Sequence, residues 1–416
     1  MPWRYFFIFL AVVLAIGAIL IVPRIRLEQK TTAAEKEIQK RHLAAARERI
    51  DECLRRWPDE PRVHFLAARL ARLQGEYHSA EKHLDFCRSA QYQEHDVTIE
   101  NALLLAQQGK FQNIEQELQQ LVTNGHPDRH WVLEAMATGY SKSFRSADAL
   151  VSADMWLRDQ PDFPPALFLK ATLLEQLQRY EEATTLYQKC VDLDGDYDEA
   201  RYRLASRYLT DPAFHSEETL VHFKRLHEGR PGNFDYALGY AQALANAGRS
   251  DQSRQILDEL LAGRPNQSSV LVARGQLELN DGRPQEALPW LQKAHAIDRD
   301  VYQTSFLLAR CLRQLGKDAE AAHMEKDAAQ LLADSQRLHE LTTKLLPRES
   351  NNPEYYYEAG TIQLRQGNVA EALNWFQGAL RCDAKHVPTH RALAEYYEKN
   401  GNAFEARRHR ELLTQK

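Results

Sequence analysis

The sequence predicts an all-α stack of helical hairpins behind one N-terminal membrane helix, on three observations. Glycines recur at a fixed distance: Gly75 and Gly109, then Gly248, Gly282 and Gly316, then Gly367 and Gly401, each 34 residues apart within its run. Such a period marks units that cannot bury their apolar faces alone and must stack on their neighbours. Apolar residues also keep helical spacing through both halves of the period, and no alternating strand pattern is evident. Finally, Phe6–Val22 is an unbroken apolar run, FFIFLAVVLAIGAILIV.

That run comes first in the chain, within an anchor segment over 1–26. As a helix it is about 26 Å long, and Trp3 and Tyr5 extend it to the headgroup level. A hydrocarbon core of roughly 30 Å is just within its reach. Thirteen of its residues are Leu, Ile, Phe or Val and none is charged, so insertion is favoured by about 4 to 8 kcal/mol before Gly17 and the alanines are counted. A cleaved signal peptide is the competing reading, with Ala15-Ile16-Gly17 as a passable site. The apolar run continues through Ile19–Val22 beyond that site, which favours a retained anchor. Arg24, Arg26 and Lys30 behind the run, against Arg4 and the α-amine in front, lean the repeats toward the cytoplasmic face. Export to the periplasmic side is the alternative.

Residues 27–60 read as a capping helix or partial repeat, because Lys40–Pro58 (Ala46, Ile50, Cys53, Pro58) carries only a second-helix pattern. Eight units follow over 61–335. The clearest, 164–197, sets Leu167, Ala171 and Leu174 on one helical stripe, turns at Arg179 and Tyr180, and resumes with Ala183, Leu186, Tyr187, Cys190 and Val191. Gly195 supplies its stop. Gly316 to Gly367 spans one period plus 17 residues, an insert assigned to 336–352. There Ala319–Leu346 reads as one long helix ended by Pro347, with Leu331, Leu338, Leu341 and Leu345 near heptad spacing. That seam either self-associates or covers the end of the first array. Two units over 353–416 close the chain.

These residues resemble the tetratricopeptide repeat family, whose pattern runs W-x2-L-G-x2-Y, then A-x3-F, then P. It reads here as Leu167/Ala171 with Ala183 and Tyr187, as Tyr356/Ala359/Gly360 with Ala372 and Phe376, and as Ala205/Tyr208 with Phe223 and Pro231. Pro58, Pro161 and Pro265 hold the repeat-ending place as well. The resemblance implies a right-handed α-solenoid of about ten hairpins, whose first helices line a concave groove.

One slot on those helices reads Phe65, Ile99, Glu134, Phe168, Tyr202, Leu238, Val272, Phe306, Tyr357 and Arg391. Its aromatic members Phe65, Phe168, Tyr202, Phe306 and Tyr357 are candidate anchors for a partner peptide or amphipathic helix. Packing between repeats is the plainer use of the same rings. Arg69, Arg72, Arg310 and Arg313, one and two turns later, are candidates to pair a partner's carboxylates, or form a solvated face. A carboxylate clamp of the chaperone-adaptor kind is not supported, since the matching slots read Phe65/Arg69, Ile99/Leu103 and Glu134/Thr138.

Other functions find little support. Lys and Arg number 53 against 58 Asp and Glu, a net charge of −5, which lacks the basic excess that phosphate-dominated nucleic-acid binding needs. No nucleotide-cradling glycine loop is present. His339-Glu340 begins a zinc motif that Thr343 breaks, and His386 and His390 flank Pro388 with no third ligand. No catalytic, metal or cofactor residue is assigned. Cys53, Cys87 and Cys190 fall at the same place in their repeats and read as small apolar filler. The expected function is a membrane-tethered scaffold, adaptor or assembly factor for protein partners, with a self-associating architectural protein or an unrecognised enzyme as alternatives.

Overall fold

The computed structural model describes residues 22–143, 145–209 and 212–414. The anchor run Phe6–Val22 lies outside them except for Val22. No helix among the described residues is long and apolar enough to cross a membrane, and none of those residues forms a strand.

The chain divides into two compact units, Met1–Leu186 and Tyr187–Lys416. The first holds α1 (22–39), α2 (Leu43–Arg56), α3 (Pro61–Leu73), α4 (Tyr77–Ser89), α5 (Glu94–Gln107), α6 (Glu115–Thr123), α7 (Arg129–Lys142), α8 (Ser146–Asp159) and α9 (Pro164–Gln176). After α10 (Tyr180–Leu193), the second holds α11 (Asp198–Leu209), α12 (Pro212–Gly229), α13 (Phe234–Asn246), α14 (Ser250–Gly263), α15 (Ser268–Asn280), α16 (Pro284–Ile297), α17 (Tyr302–Gln314) and α18 (Asp318–Glu340). It ends with α19 (Pro353–Arg365), α20 (Val369–Cys382), α21 (Val387–Lys399) and α22 (Ala403–Thr414).

Most hairpins turn in the same way. At Gly75 the backbone takes φ +76, its N–H reaches the Arg72 carbonyl, and Glu76 N–H reaches that of Ala71. This left-handed residue closes the helix end, and glycine takes the conformation without a Cβ penalty. The same geometry appears where the sequence has no glycine. Arg41 (φ 64) turns α1 into α2, and Gln178 (φ 59) turns α9 into α10, at a cost of about 1–2 kcal/mol each. Two expectations change accordingly. The front segment is a full hairpin, not a lone second helix, because α1 supplies the missing partner. In 164–197 the reversal sits at Gln178, with Tyr180 already helical, and Gly195 is not left-handed: its carbonyl accepts from Arg201 instead (2.7 Å).

The hairpins close on small residues. Ala80, Ala183, Ala287, Ala321 and Ala372 are fully buried, and a Cβ on Gly360 would lie 2.6 Å from the Phe376 ring. Cys53, Cys87 and Cys190 are buried as filler. Burial pushes the Cys87 thiol up to about 11 and the Cys190 thiol up to about 12.

A polar pin recurs in three hairpins. His64 donates to the Pro58 carbonyl (2.8 Å), leaving its Nδ1 to meet His83 Nδ1 at 2.9 Å. His390 repeats this with the Ala384 carbonyl (3.0 Å) and His409 (2.8 Å). Arg201 does the same with Gly195 and His222 (2.9 Å). His386 is also buried, against Thr389 (2.8 Å) and Glu354 (3.1 Å).

The insert is helical as expected, but its end is a π-helical turn, Leu341–Leu345. Leu338, Leu341 and Leu345 pack on Ala359, Ile362 and Trp375 of α19 and α20. Buried Asp334 takes both arms of Arg365 (2.7 and 2.8 Å), and Arg337 grips Glu358 (2.7 and 2.8 Å). These leucines are therefore committed to the chain's own helices and are not an open self-association seam.

Candidate partner-binding groove

The nine side chains singled out from the sequence do not form one site. Phe65 is only 7 % exposed; it packs in the core of the first unit with Ala68, Val97 and Leu104. Arg69 and Arg72 point inward as well. Both bind Glu100, Arg69 Nε at 3.0 Å and Arg72 Nε at 2.5 Å, and Arg69 also reaches Asp128 (3.4 Å). Trp131 lies against them, with ring-to-guanidinium distances of 5.5 and 5.9 Å, and Arg41 covers it at 4.4 Å. Arg41 in turn pairs with Glu134. The assignment of Phe65, Arg69 and Arg72 to partner binding is thus corrected: their apolar surface and charges are used up inside the first unit.

Phe168 is half-buried on α9. Tyr202 is half-buried between Phe223 and Tyr236, with centroids 6.1 and 5.6 Å away. Tyr357 packs on Phe376 and His386, and lines a cavity of about 350 Å³ whose charges, Asp334, Arg337, Glu358 and Arg365, already pair with one another. Arg313 is exposed but held by Glu325 at 2.6 Å. Among the described residues, Phe306 and Arg310 share one open cavity.

That site is a cavity of about 970 Å³ in the second unit, bounded by α13, α15, α17 and α18. Its position follows from helix geometry. On α17, Leu307, Leu308, Cys311 and Leu312 turn into the core, so Tyr302, Phe306 and Arg310, each one turn apart, emerge on the opposite side. Tyr302 is 47 % exposed, Phe306 56 %, and Leu332 of α18 40 %; all three line the cavity. Large apolar groups gathered this way mark a surface that gains by being covered.

The polar lining is mostly neutral. Gln242 and Asn246 stand one turn apart on α13, and Gln276 and Asn280 repeat them on α15, 34 residues later. Glu325 and Arg310 are the charged lining residues; Glu325 is occupied by Arg313, whereas Arg310 makes no ion pair among the described residues. The four amides were missed in the sequence. The period that located the glycines, applied to polar residues of the first helices, would have found them.

Three tetratricopeptide repeat models match the chain, over 164–197, over 216–277, and over 31–85 together with 327–387. A TPR repeat-containing protein of Pseudomonas aeruginosa is 30% identical over 159 residues, covering 37% of this chain and 26% of that protein. The chain thus spans about a quarter of that relative's length. Among solved structures, PilW, described as a widely conserved type IV pilus biogenesis factor, is 17% identical at a TM-score of 0.40, over 49% of this chain and 92% of that one. MamA of AMB-1 is 20% identical at a TM-score of 0.35, over 41% and 99%. A tetratricopeptide repeat protein from Parabacteroides merdae is 18% identical at 0.34, over 69% and 98%.

Proposed function

We propose that this chain, which carries tetratricopeptide repeats, is a protein-interaction scaffold that holds a partner segment in the groove around Phe306 and Arg310. The apolar run Phe6–Val22 is proposed to tether it to a membrane, with the repeats on the cytoplasmic face. The observation that carries the groove reading is the meeting of Tyr302, Phe306 and Leu332, all substantially exposed, in one cavity beside an arginine that makes no ion pair among the described residues. Burying such rings is favourable in proportion to the apolar area removed from water. A tether adds locality, raising the effective concentration of whatever is bound without a new contact.

Crosslinking and mass spectrometry on intact membranes test the reading. One dominant protein partner is expected, lost on Phe306→Ala by about 30-fold or more, the effect of truncating a central aromatic anchor. Phe65→Ala, which only disturbs the core, serves as the contrasting variant. Retention of the partner by Phe306→Ala would remove the groove from the function. Protease digestion of sealed vesicles tests the side of the membrane, since cytoplasmic repeats are cut only when that face is outermost.

A further inference from the structure

We infer that Arg41 is a clasp that fastens the first hairpin to the fourth, so that a displacement at the front of the chain is transmitted to α7. In a stacked repeat protein each repeat ordinarily contacts only its neighbours. The first unit departs from that rule. Arg41, in the turn between α1 and α2, lies over the Trp131 ring of α7 at 4.4 Å and pairs with Glu134, 93 residues along the chain. Two further contacts pass over the third hairpin, α5–α6. Arg69 of α3 reaches Asp128 just before α7 (3.4 Å), and Lys142 at the end of α7 donates to the Tyr77 hydroxyl of α4 (2.6 Å) while covering its ring (4.8 Å). The Arg41 side chain is 10 % exposed and that of Glu134 16 %, so salt screens the pair little. Beneath it Trp131 is buried in one apolar core with Ala34 and Ile38 of α1.

The backbone at Arg41 shows that the position serves its side chain and not the turn. Gly75 and Gly109 make their turns at φ +76 and +77, which glycine takes without strain. Arg41 holds φ 64, a conformation that opposes an L-residue and persists where the surrounding contacts over-determine it. Glycine would relieve the strain but leave Trp131 uncovered and Glu134 without that cation. Gln178 supplies the contrast: it is left-handed as well (φ 59) but exposed. A guanidinium suits the task, because its plane stacks on an indole face while its N–H groups meet a carboxylate. With the clasp open, α7 would present an indole ring and a carboxylate that the closed form hides.

The test is hydrogen exchange on the full-length protein, read separately for α1–α2 and for α7. Arg41→Gly should lower protection in both by about tenfold, the loss of one charged hydrogen bond, although it eases the turn. Gln178→Gly should leave α9–α10 unchanged or better protected. The double variant Arg41→Gln/Glu134→Gln should lose no more protection in α7 than the greater of its two single variants, because both remove one interaction. Arg41→Lys keeps the charge and loses the planar fork; it should give a smaller loss in both places, and it repeats the measurement if Arg41→Gly does not fold. Unchanged or raised protection in Arg41→Gly would make Arg41 a turn residue alone and overturn the clasp. A loss confined to α1–α2, with α7 as in the native protein, would overturn it as well.

Discussion

Removing the Glu100 carboxylate should do as much damage in the first unit as truncating a large core side chain. Its side chain is 1 % exposed, between Arg72 at 0 % and Arg69 at 8 %. Burial alone would raise its carboxyl, but the two guanidiniums outweigh that and hold it below the ordinary carboxylate range. Glu100→Ala strands buried Arg72 and leaves Arg69 only Asp128, at 3.4 Å, and breaking a buried pair by removing one partner costs about 3–5 kcal/mol. For a unit of this size that is a fall in melting temperature of about 6–20 °C. Thermal melts, with hydrogen exchange resolved to α3, α5 and α7, measure it. Replacing the whole group, Arg69→Leu/Arg72→Met/Glu100→Leu, should fall close to the native protein, because the desolvation cost of the charges disappears with them. The penalty also has a defined pH dependence. A depressed folded pKa contributes stability above the unfolded value of about 4.3, and that contribution is lost as pH falls through the folded value. Glu100→Ala should therefore converge on the native protein in acid. A loss below about 1 kcal/mol at neutral pH, or a triple variant as unstable as the single one, would refute the charge argument.

Other consequences concern packing and titration. A Cβ on Gly139 would lie 1.9 Å from the Ala106 carbonyl oxygen, so Gly139→Ala must part α5 from α7 at about 1–3 kcal/mol, despite a helix-propensity gain of about 1 kcal/mol. Gly263→Ala meets nothing within 4 Å and should be neutral or slightly stabilising in the same urea titrations. In the histidine pins, burial first and then the partner ring lower the pKa of His83 and of His409. Their contribution to stability is present above the unfolded value of about 6.5 and is lost as pH falls below it. The hydrogen-exchange protection of α3–α4, taken relative to the intrinsic rate at each pH, should thus fall from pH 7.5 to 5.5, and His83→Gln should flatten that slope. With Cys53, Cys87, Cys190 and Cys311 buried and Cys382 half-exposed, a thiol reagent at pH 8 should label Cys382 well before the rest. Equal labelling of Cys87 would contradict its packing.

The all-α class and the repeated hairpin were legible because both follow from local chemistry. A left-handed residue ends most first helices, and glycine is its cheapest occupant, so Gly75, Gly248 and Gly367 announce their turns. The alanine after most turns, as at Ala80 and Ala372, is set by how closely two backbones approach. Where another residue accepts the left-handed conformation, as Arg41 and Gln178 do, the signal is silent, and the front hairpin and the 164–197 turn were misplaced.

The site was far less legible. Phe65 and Phe306 occupy one slot, yet the first is core and the second is exposed. Arg69 and Arg310 share a slot too, and the first is consumed by Glu100, 31 residues away, while the second makes no ion pair among the described residues. A helix's apolar stripe and its turn residues are fixed by neighbours three or four positions along the chain, so the sequence alone determined the stack of hairpins. Whether a ring or a charge is spent inside that stack depends on what the next repeats bring within a few ångströms, and this only the tertiary structure decided.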